Sequence, residues 1–367
     1  MTVRDLVLPP LPKERQCNRR GGPDLATIKL RVEVVTQILG GAPLSREIDD
    51  VDVIRVPSIR GQLRFWWRAL NAHRSNTSND MFVAESAIWG RAADKNGGRS
   101  EVTLSINVIK AGERDDGTVD PRASGFYVLW PAKERKEDRK NNTQAEPVAP
   151  RRKPGTTFEM TFTCPQEQEN HVREAVRAWL LFGGYGSRTR RGLGGLTAAE
   201  RDREAWLPQI MEPKGVRSEF ERIFGRDIFA ASEVPPNDTP RLSGAKLWAG
   251  PRCKYAEEAW IQAVDWLQAF RKVRRQRERP IRPASPLIIK ALAFADGEYA
   301  PCALWLERVP ANLNAAVASR DAFAEFAKSP QEYYNQAKST ADASAKKTGK
   351  KSSLPELRLA EMFVVVQ

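Results

Sequence analysis

Between positions 183 and 195 the chain reads Gly-Gly-Tyr-Gly-Ser-Arg-Thr-Arg-Arg-Gly-Leu-Gly-Gly, six glycines in thirteen positions. No helix or strand interior tolerates that density, because glycine loses the most backbone freedom on ordering. The chain must turn here. Glycine accepts positive φ, so successive N–H groups can turn inward as an anion-binding nest while Arg188, Arg190 and Arg191 reach along the backbone. Nothing in the stretch suits a packed core, and Gly184, Gly186, Ser187 and the three arginines are the residues expected to meet an anion. The spacing lacks G-x-x-x-x-G-K-[ST] and lacks a G-x-G-x-x-G followed by an acid, which argues against ATP and NAD.

The charge balance points the same way. Fifty-nine Lys and Arg oppose 46 Asp and Glu, a net of +13, which favours a polyanionic partner, nucleic acid first. Four arginines and no acid lie between Arg55 and Arg68, the loop adds three arginines, and seven basic residues face only Glu278 in 271–282; these clusters carry the whole excess. At roughly 150 residues per domain, 367 residues predict two domains. Cys17, Cys164, Cys253 and Cys302 lie far apart without a C-x-x-C pair, so they read as reduced thiols rather than as a zinc site or disulfide framework. The N-terminus has no signal-peptide h-region and no apolar run is long enough for a bilayer, so the cytoplasm is expected.

The second motif opens at Val56-Pro57-Ser58-Ile59-Arg60-Gly61. Pro57 and Ser58, the latter as N-cap, predict a helix whose Leu63, Trp66, Trp67 and Leu70 share one arc while Arg60, Arg64 and Arg68 share the next. Phe65 falls outside both. First-turn N–H groups and the helix dipole attract phosphate, and Gly61 withholds a side chain that would keep it away. Arg55, Ser58, Arg60, Gly61, Arg64 and Arg68 are therefore candidate phosphate contacts, and Trp67 a candidate for stacking.

Elsewhere, alternation predicts strands at 28–35, 101–108, 125–130 and 156–162, a helix at 166–182 and a short strand at 193–197. Residues 133–153, with almost nothing to bury, read as a mobile loop. Strand, helix, strand, strand, helix, strand is a ferredoxin-like order with one extra hairpin strand. Downstream, a helix at 255–273, paired strands at 285–294 and 299–307 around Asp296-Gly297, a helix at 321–337, a linker at 337–353 and a closing strand at 357–366 are expected.

The R-G-x-x-R-F-W-W-R helix and the G-G-x-G-S-R-x-R-R-G-x-G-G-L loop together resemble the RAMP superfamily of CRISPR-associated proteins, and within it the first-numbered subunits of type III-B (Cmr) effector complexes. Residues 282–287 look similar to the strand entry of the superfamily's second domain. The resemblance implies an α+β fold of two tandem ferredoxin-like domains with antiparallel sheets: an extension at 1–26, a first domain at 27–212 and a divergent second domain at 213–367 with a helical insertion. It implies no cofactor and no metal. It also implies a non-catalytic place at the crRNA 3′ end beside a related backbone-type RAMP subunit, holding guide RNA and admitting target RNA, with Arg282 and Lys290 added to the RNA-contacting residues.

Several relatives cleave RNA with a histidine, so an endoribonuclease using His73 is the rival expectation. His73 follows the basic helix closely enough to suggest a general base, yet its neighbours look like an exposed helix end. His171 reads as a surface residue. Asp49, Asp50 and Asp52 could hold Mg²⁺ near a phosphodiester, but such acids in polar loops are usually solvated.

Overall fold

A computed structural model describes residues 24–92, 98–137, 144–209, 215–233, 239–277, 287–308, 313–348 and 357–366. Cys17, Arg282 and the central part of the 133–153 loop lie outside the described residues.

The first half runs β1 (Leu25–Val34), β2 (Ile38–Leu39), α1 (Val56–Asn71), α2 (Ser78–Trp89), β3 (Thr103–Lys110), β4 (Arg114–Asp115), α3 (Phe126–Leu129), β5 (Arg151–Arg152), β6 (Thr157–Pro165), α4 (Glu169–Phe182) and β7 (Leu196–Ala198). The helices α5 (Arg203–Trp206) and α6 (Val216–Phe224) lead into β8 (Arg241–Ala249), α7 (Ala256–Arg277), β9 (Leu287–Ala293), β10 (Tyr299–Glu307), α8 (Leu313–Lys328), α9 (Pro330–Thr348) and β11 (Phe363–Val366). Two four-stranded sheets result, ordered β3-β6-β1-β7 and β11-β8-β10-β9, every pairing antiparallel. Both follow the same path: a strand, a helix, a hairpin pair, helical structure, and a last strand laid beside the first. The chain is thus a mixed helix and sheet protein with antiparallel sheets.

Alternation explains β1, where Ala26, Ile28, Leu30, Val32 and Val34 are buried and the residues between them are less so. It fails for β9, whose seven residues are all buried. The physical reason is a second covering layer, since α7 packs on β9 and β10 while α1 reaches β8 and α4 reaches β9. Helices of the first half therefore serve as a lid for the second sheet. Ile59, Leu63, Trp66, Trp67 and Leu70 form the buried stripe of α1, each large apolar side chain contributing about 1.5–3 kcal/mol.

Several expectations need correction. Residues 125–130 form no strand: Gly125 takes φ +81° and α3 follows, because the Trp260 ring of α7 fills the space where a Cβ would stand, 2.5 Å away. The end of the supposed mobile loop is β5, with Arg151 paired to Asp115 and Arg152 to Asp50, both arginines buried. Helix α9 continues to Thr348 through most of the supposed linker, since its Ala, Lys and Gln content favours helix and Tyr334 and Ala337 bury a face near α7.

Candidate nucleic-acid interface

The two motifs meet at Tyr185. The Arg55 backbone N–H donates to its hydroxyl at 2.9 Å and the Ser58 side chain bonds to the same oxygen. Ser58 is thus not the N-cap; the helix begins earlier, with Arg55 at the cap position and Pro57 in the first turn. Burial pushes the Tyr185 phenol above its ordinary pKa, so it remains a neutral fastener between helix mouth and loop.

The loop is packed rather than a pliable nest. Tyr185 and Leu193 are buried, Tyr185 N–H donates to Gly194 O at 2.9 Å, Ser187 N–H to Leu39 O at 2.6 Å, and Thr36 Oγ to Gly192 O at 2.7 Å. Its glycines allow close approach: a Cβ at Gly184 would lie 2.8 Å from Gly194 O, and one at Gly186 would lie 2.8 Å from Leu39 O. Gly184 is buried and Gly186 half-buried, so the outward surface belongs to Ser187, Arg188 and Arg190, with Arg191 half-buried beside them. A short turn over Thr189–Arg191 aims these side chains, preceded by Arg188 at φ +58°.

Electrostatically this surface is uncompensated. Arg188 and Arg190 make no ion pair among the described residues. Burial lowers both pKa values, helped by Arg271 at Arg188 and by Arg308 at Arg190. Burial, then Arg271 and the two loop neighbours, bring Arg191 down to about 9. Its guanidinium donates to Leu287 O at 2.8 Å, and Trp260 Nε1 donates to Arg191 O at 2.9 Å, fastening the loop to the second half. Arg271 thus acts on Arg188 and Arg191 and Arg308 on Arg190, so cations of the second half border the loop, and a polyanion would relieve the repulsion at Arg188 and Arg190.

The arginine row of α1 is differently employed. Arg60 donates to Trp89 O at 3.0 Å and Val102 O at 2.9 Å. Arg64 and Arg68 share the carboxylate of Glu85, which is 1 % exposed. One carboxylate balances one of two cations, so a net positive charge survives there, mainly at the half-exposed Arg68. Arg60 and Arg64 are structural clamps, correcting their reading as a free phosphate face. Trp67 is buried against His171, ring centroids 6.0 Å apart, and offers no stacking surface. Lys290 is fully buried and donates to Leu180 O, so it cannot reach a solvent-borne strand. Gly61 is exposed, with nothing within 4 Å of an added Cβ. Arg55 lies 3.6 Å from Asp49.

What sequence reasoning missed is Phe65, over which Arg190 lies 6.0 Å from the ring centroid, together with Arg308 as a neighbour of the loop; Arg271 belongs to the basic run already counted. The available signal was that Phe65 belonged to neither arc of its helix.

The histidines and acids offer little chemistry. His73 is half-buried and held below its ordinary pKa by burial and then by Arg226, Arg74 and Arg241. The lowering favours the neutral ring, and among the described residues no carboxylate pairs with it to orient it. Asp49 accepts the N–H groups of Val51 and Asp52, and Asp50 bridges Arg114 and Arg152. Among the described residues no group of three or more His, Cys, Asp or Glu could hold a metal ion. Cys164, Cys253 and Cys302 are free and buried, and no described helix is long and apolar enough to cross a membrane.

Two antiparallel sheets, with a glycine-rich, arginine-bearing loop of the first half fastened to the second, define the architecture. The sequence profile of the RAMP superfamily matches residues 31–197. The chain is 25 % identical over 183 residues to the CRISPR system Cmr subunit Cmr1-1 of Pyrococcus furiosus, covering 49 % of this chain and 48 % of that one; the match therefore spans about half the length of this curated relative. The crystal structure of apo Cmr1 from Pyrococcus furiosus superposes with a TM-score of 0.51 at 16 % identity, covering 80 % of this chain and 97 % of that one. A chain in the cryo-EM structure of a type III-B Cmr-beta complex bound to cognate target RNA gives 0.50 at 10 % identity, covering 82 % and 99 %. The RAMP superfamily match thus covers just under half of the chain.

Proposed function

We propose that this protein is a non-catalytic RNA-binding subunit of a type III-B CRISPR (Cmr) ribonucleoprotein in the cytoplasm. It holds the 3′ region of the crRNA beside a related backbone-type subunit and helps to admit target RNA in antiviral defence. Its two βαββαβ units are tandem ferredoxin-like domains, within 27–212 and 213–367. The likeness to Cmr1 supports the assembly, and the observation that carries RNA binding is the approach of Arg271 to Arg188 and Arg191 and of Arg308 to Arg190.

Binding of single-stranded RNA, followed by fluorescence anisotropy across a salt series, tests this. With about three to six phosphates neutralised, log K falls with log salt at a slope of about −2 to −4. Replacing Arg188, Arg190 and Arg191 together with alanine is expected to reduce that slope by about 2, equally for unrelated sequences because phosphate contacts position without specifying. A salt-independent affinity would contradict the reading.

Gly61→Ala separates helix stability from strand approach. The new methyl meets open space, so the variant is expected to gain about 0.5–1 kcal/mol in urea unfolding. Its RNA affinity is expected to fall, since the methyl stands where the strand approaches the first turn. A gain in both would remove the first turn of α1 from the interface.

A further inference from the structure

We infer that the cleft between Phe65 and Arg190 is a pocket for one unpaired base of the bound strand. This rests on the RNA-binding reading above and goes beyond it, from phosphate contacts to a base. The cleft has a volume of about 180 Å³ and is lined by Gln62, Phe65, Trp66, Gly183, Thr189 and Arg190, among others. Drug-sized ligands fill roughly 300–1,000 Å³, whereas an apolar cavity of about 150 Å³ takes one benzene ring. A single flat ring system is thus the occupant of matching size.

Its walls suit a base in three independent ways. Phe65 is half-buried, and the Arg190 guanidinium stands 6.0 Å from its ring centroid. An aromatic ring and a planar guanidinium are the two surfaces on which splayed bases stack. Trp66 is 2 % exposed, yet its Nε1–H has no acceptor. Buried donors are almost always paired, so an acceptor is called for, and a base edge carries ring nitrogens and carbonyl oxygens in its plane. Gly183 leaves room beside that buried donor, since a Cβ there would lie 2.6 Å from Trp66 Nε1. The Gln62 amide and Thr189 hydroxyl supply further donors and acceptors at the rim. The Arg188 to Arg191 stretch would carry the backbone past the mouth while one base turns inward.

The test compares full-length protein binding to a single-stranded oligoadenylate, to an abasic ribose-phosphate oligomer of equal length and charge, and to AMP. Wild type is expected to prefer the base-bearing oligomer by about 5- to 150-fold, the range of one stacked base. Phe65→Leu keeps apolar volume and Arg190→Lys keeps charge; each is expected to remove most of that preference, and 2-aminopurine placed in the oligomer should lose its quenching on binding. An unchanged preference in both variants would overturn the base pocket while leaving phosphate binding intact. AMP binding as tightly as the oligomer would mark a free-nucleotide site and also overturn it. Failure of wild type to bind either oligomer would instead defeat the RNA-binding reading on which the pocket depends.

Discussion

Gly194→Ala is expected to cost more than about 4 kcal/mol, among the largest effects of a single substitution, while Gly225→Ala at a similar backbone angle costs only about 1–2 kcal/mol. The two glycines have φ of +60° and +68°, so the intrinsic penalty of a side chain is nearly the same. Their surroundings differ. A Cβ at Gly194 would stand 1.8 Å from the carbonyl oxygen of Tyr185, whereas one at Gly225 meets nothing within 4 Å. The backbone cannot withdraw, because Gly194 O accepts from Tyr185 N–H at 2.9 Å and Gly194 N–H donates to Gln37 O at 2.7 Å. Displacing Tyr185 also frees the mouth of α1, which hangs from its hydroxyl. Urea unfolding of the two variants is the measurement, with RNA affinity beside it. Equal losses would mean that the loop yields and that its glycines serve flexibility.

This contrast shows where local sequence stops informing. Six glycines announce a turn, and arginines among them announce an anion, but closeness to Leu39, Thr36 or Trp260 comes from other segments. β1, with one buried face, was legible through its alternation, and β9 and β10, buried on both faces, through the Asp296-Gly297 turn between them. β8 was not, because Arg241, Ser243 and Gly244 interrupt its pattern and burial on both faces erases alternation. Phe126 to Leu129 carry β-favouring side chains, yet a left-handed Gly125 and the Trp260 ring turn them into a helix. The break at Pro330, which separates α8 from α9, lay inside what read as one helix.

The same limit governs the arginines. Spacing on α1 correctly set Arg60, Arg64 and Arg68 on one side, but Glu85, the partner of Arg64 and Arg68, sits on α2, a helix whose weak periodicity did not announce it. Burying a carboxylate demands cations, and removing either partner of such a group leaves an uncompensated charge. Loop arginines escaped this fate since no acid lies among them and Arg271 and Arg308 approach instead. Charge density along a chain thus nominates an interface, and the distribution of carboxylates in space decides which nominees remain available.

Lys290→Met is expected to abolish a pH dependence of stability that the wild type carries between about pH 7 and 10.5. The ammonium lies wholly within the protein, where burial lowers its pKa from 10.5 to about 7. Cys302, its cross-strand partner, gives no countercharge because burial raises the thiol to about 12. Between those two pH values the unfolded chain keeps a proton that the folded chain has released, so unfolding free energy rises with pH, by up to 1.36 kcal/mol per unit. Below pH 7 both states are protonated and the burial penalty acts in full; above 10.5 both are neutral and it vanishes. Methionine preserves the methylene packing and removes the titration. It also strips Leu180 O, near the C-terminus of α4, of its donor, a loss of about 1–3 kcal/mol that is constant in the variant and shifts the curve without tilting it. The difference between wild-type and variant unfolding free energies should therefore climb by roughly 3–5 kcal/mol across the window, read by urea titrations at successive pH values. A level difference would mean that the amine is solvated in the native state, and that the strand β9 is held to α4 by something other than a proton-bearing tie across the two halves.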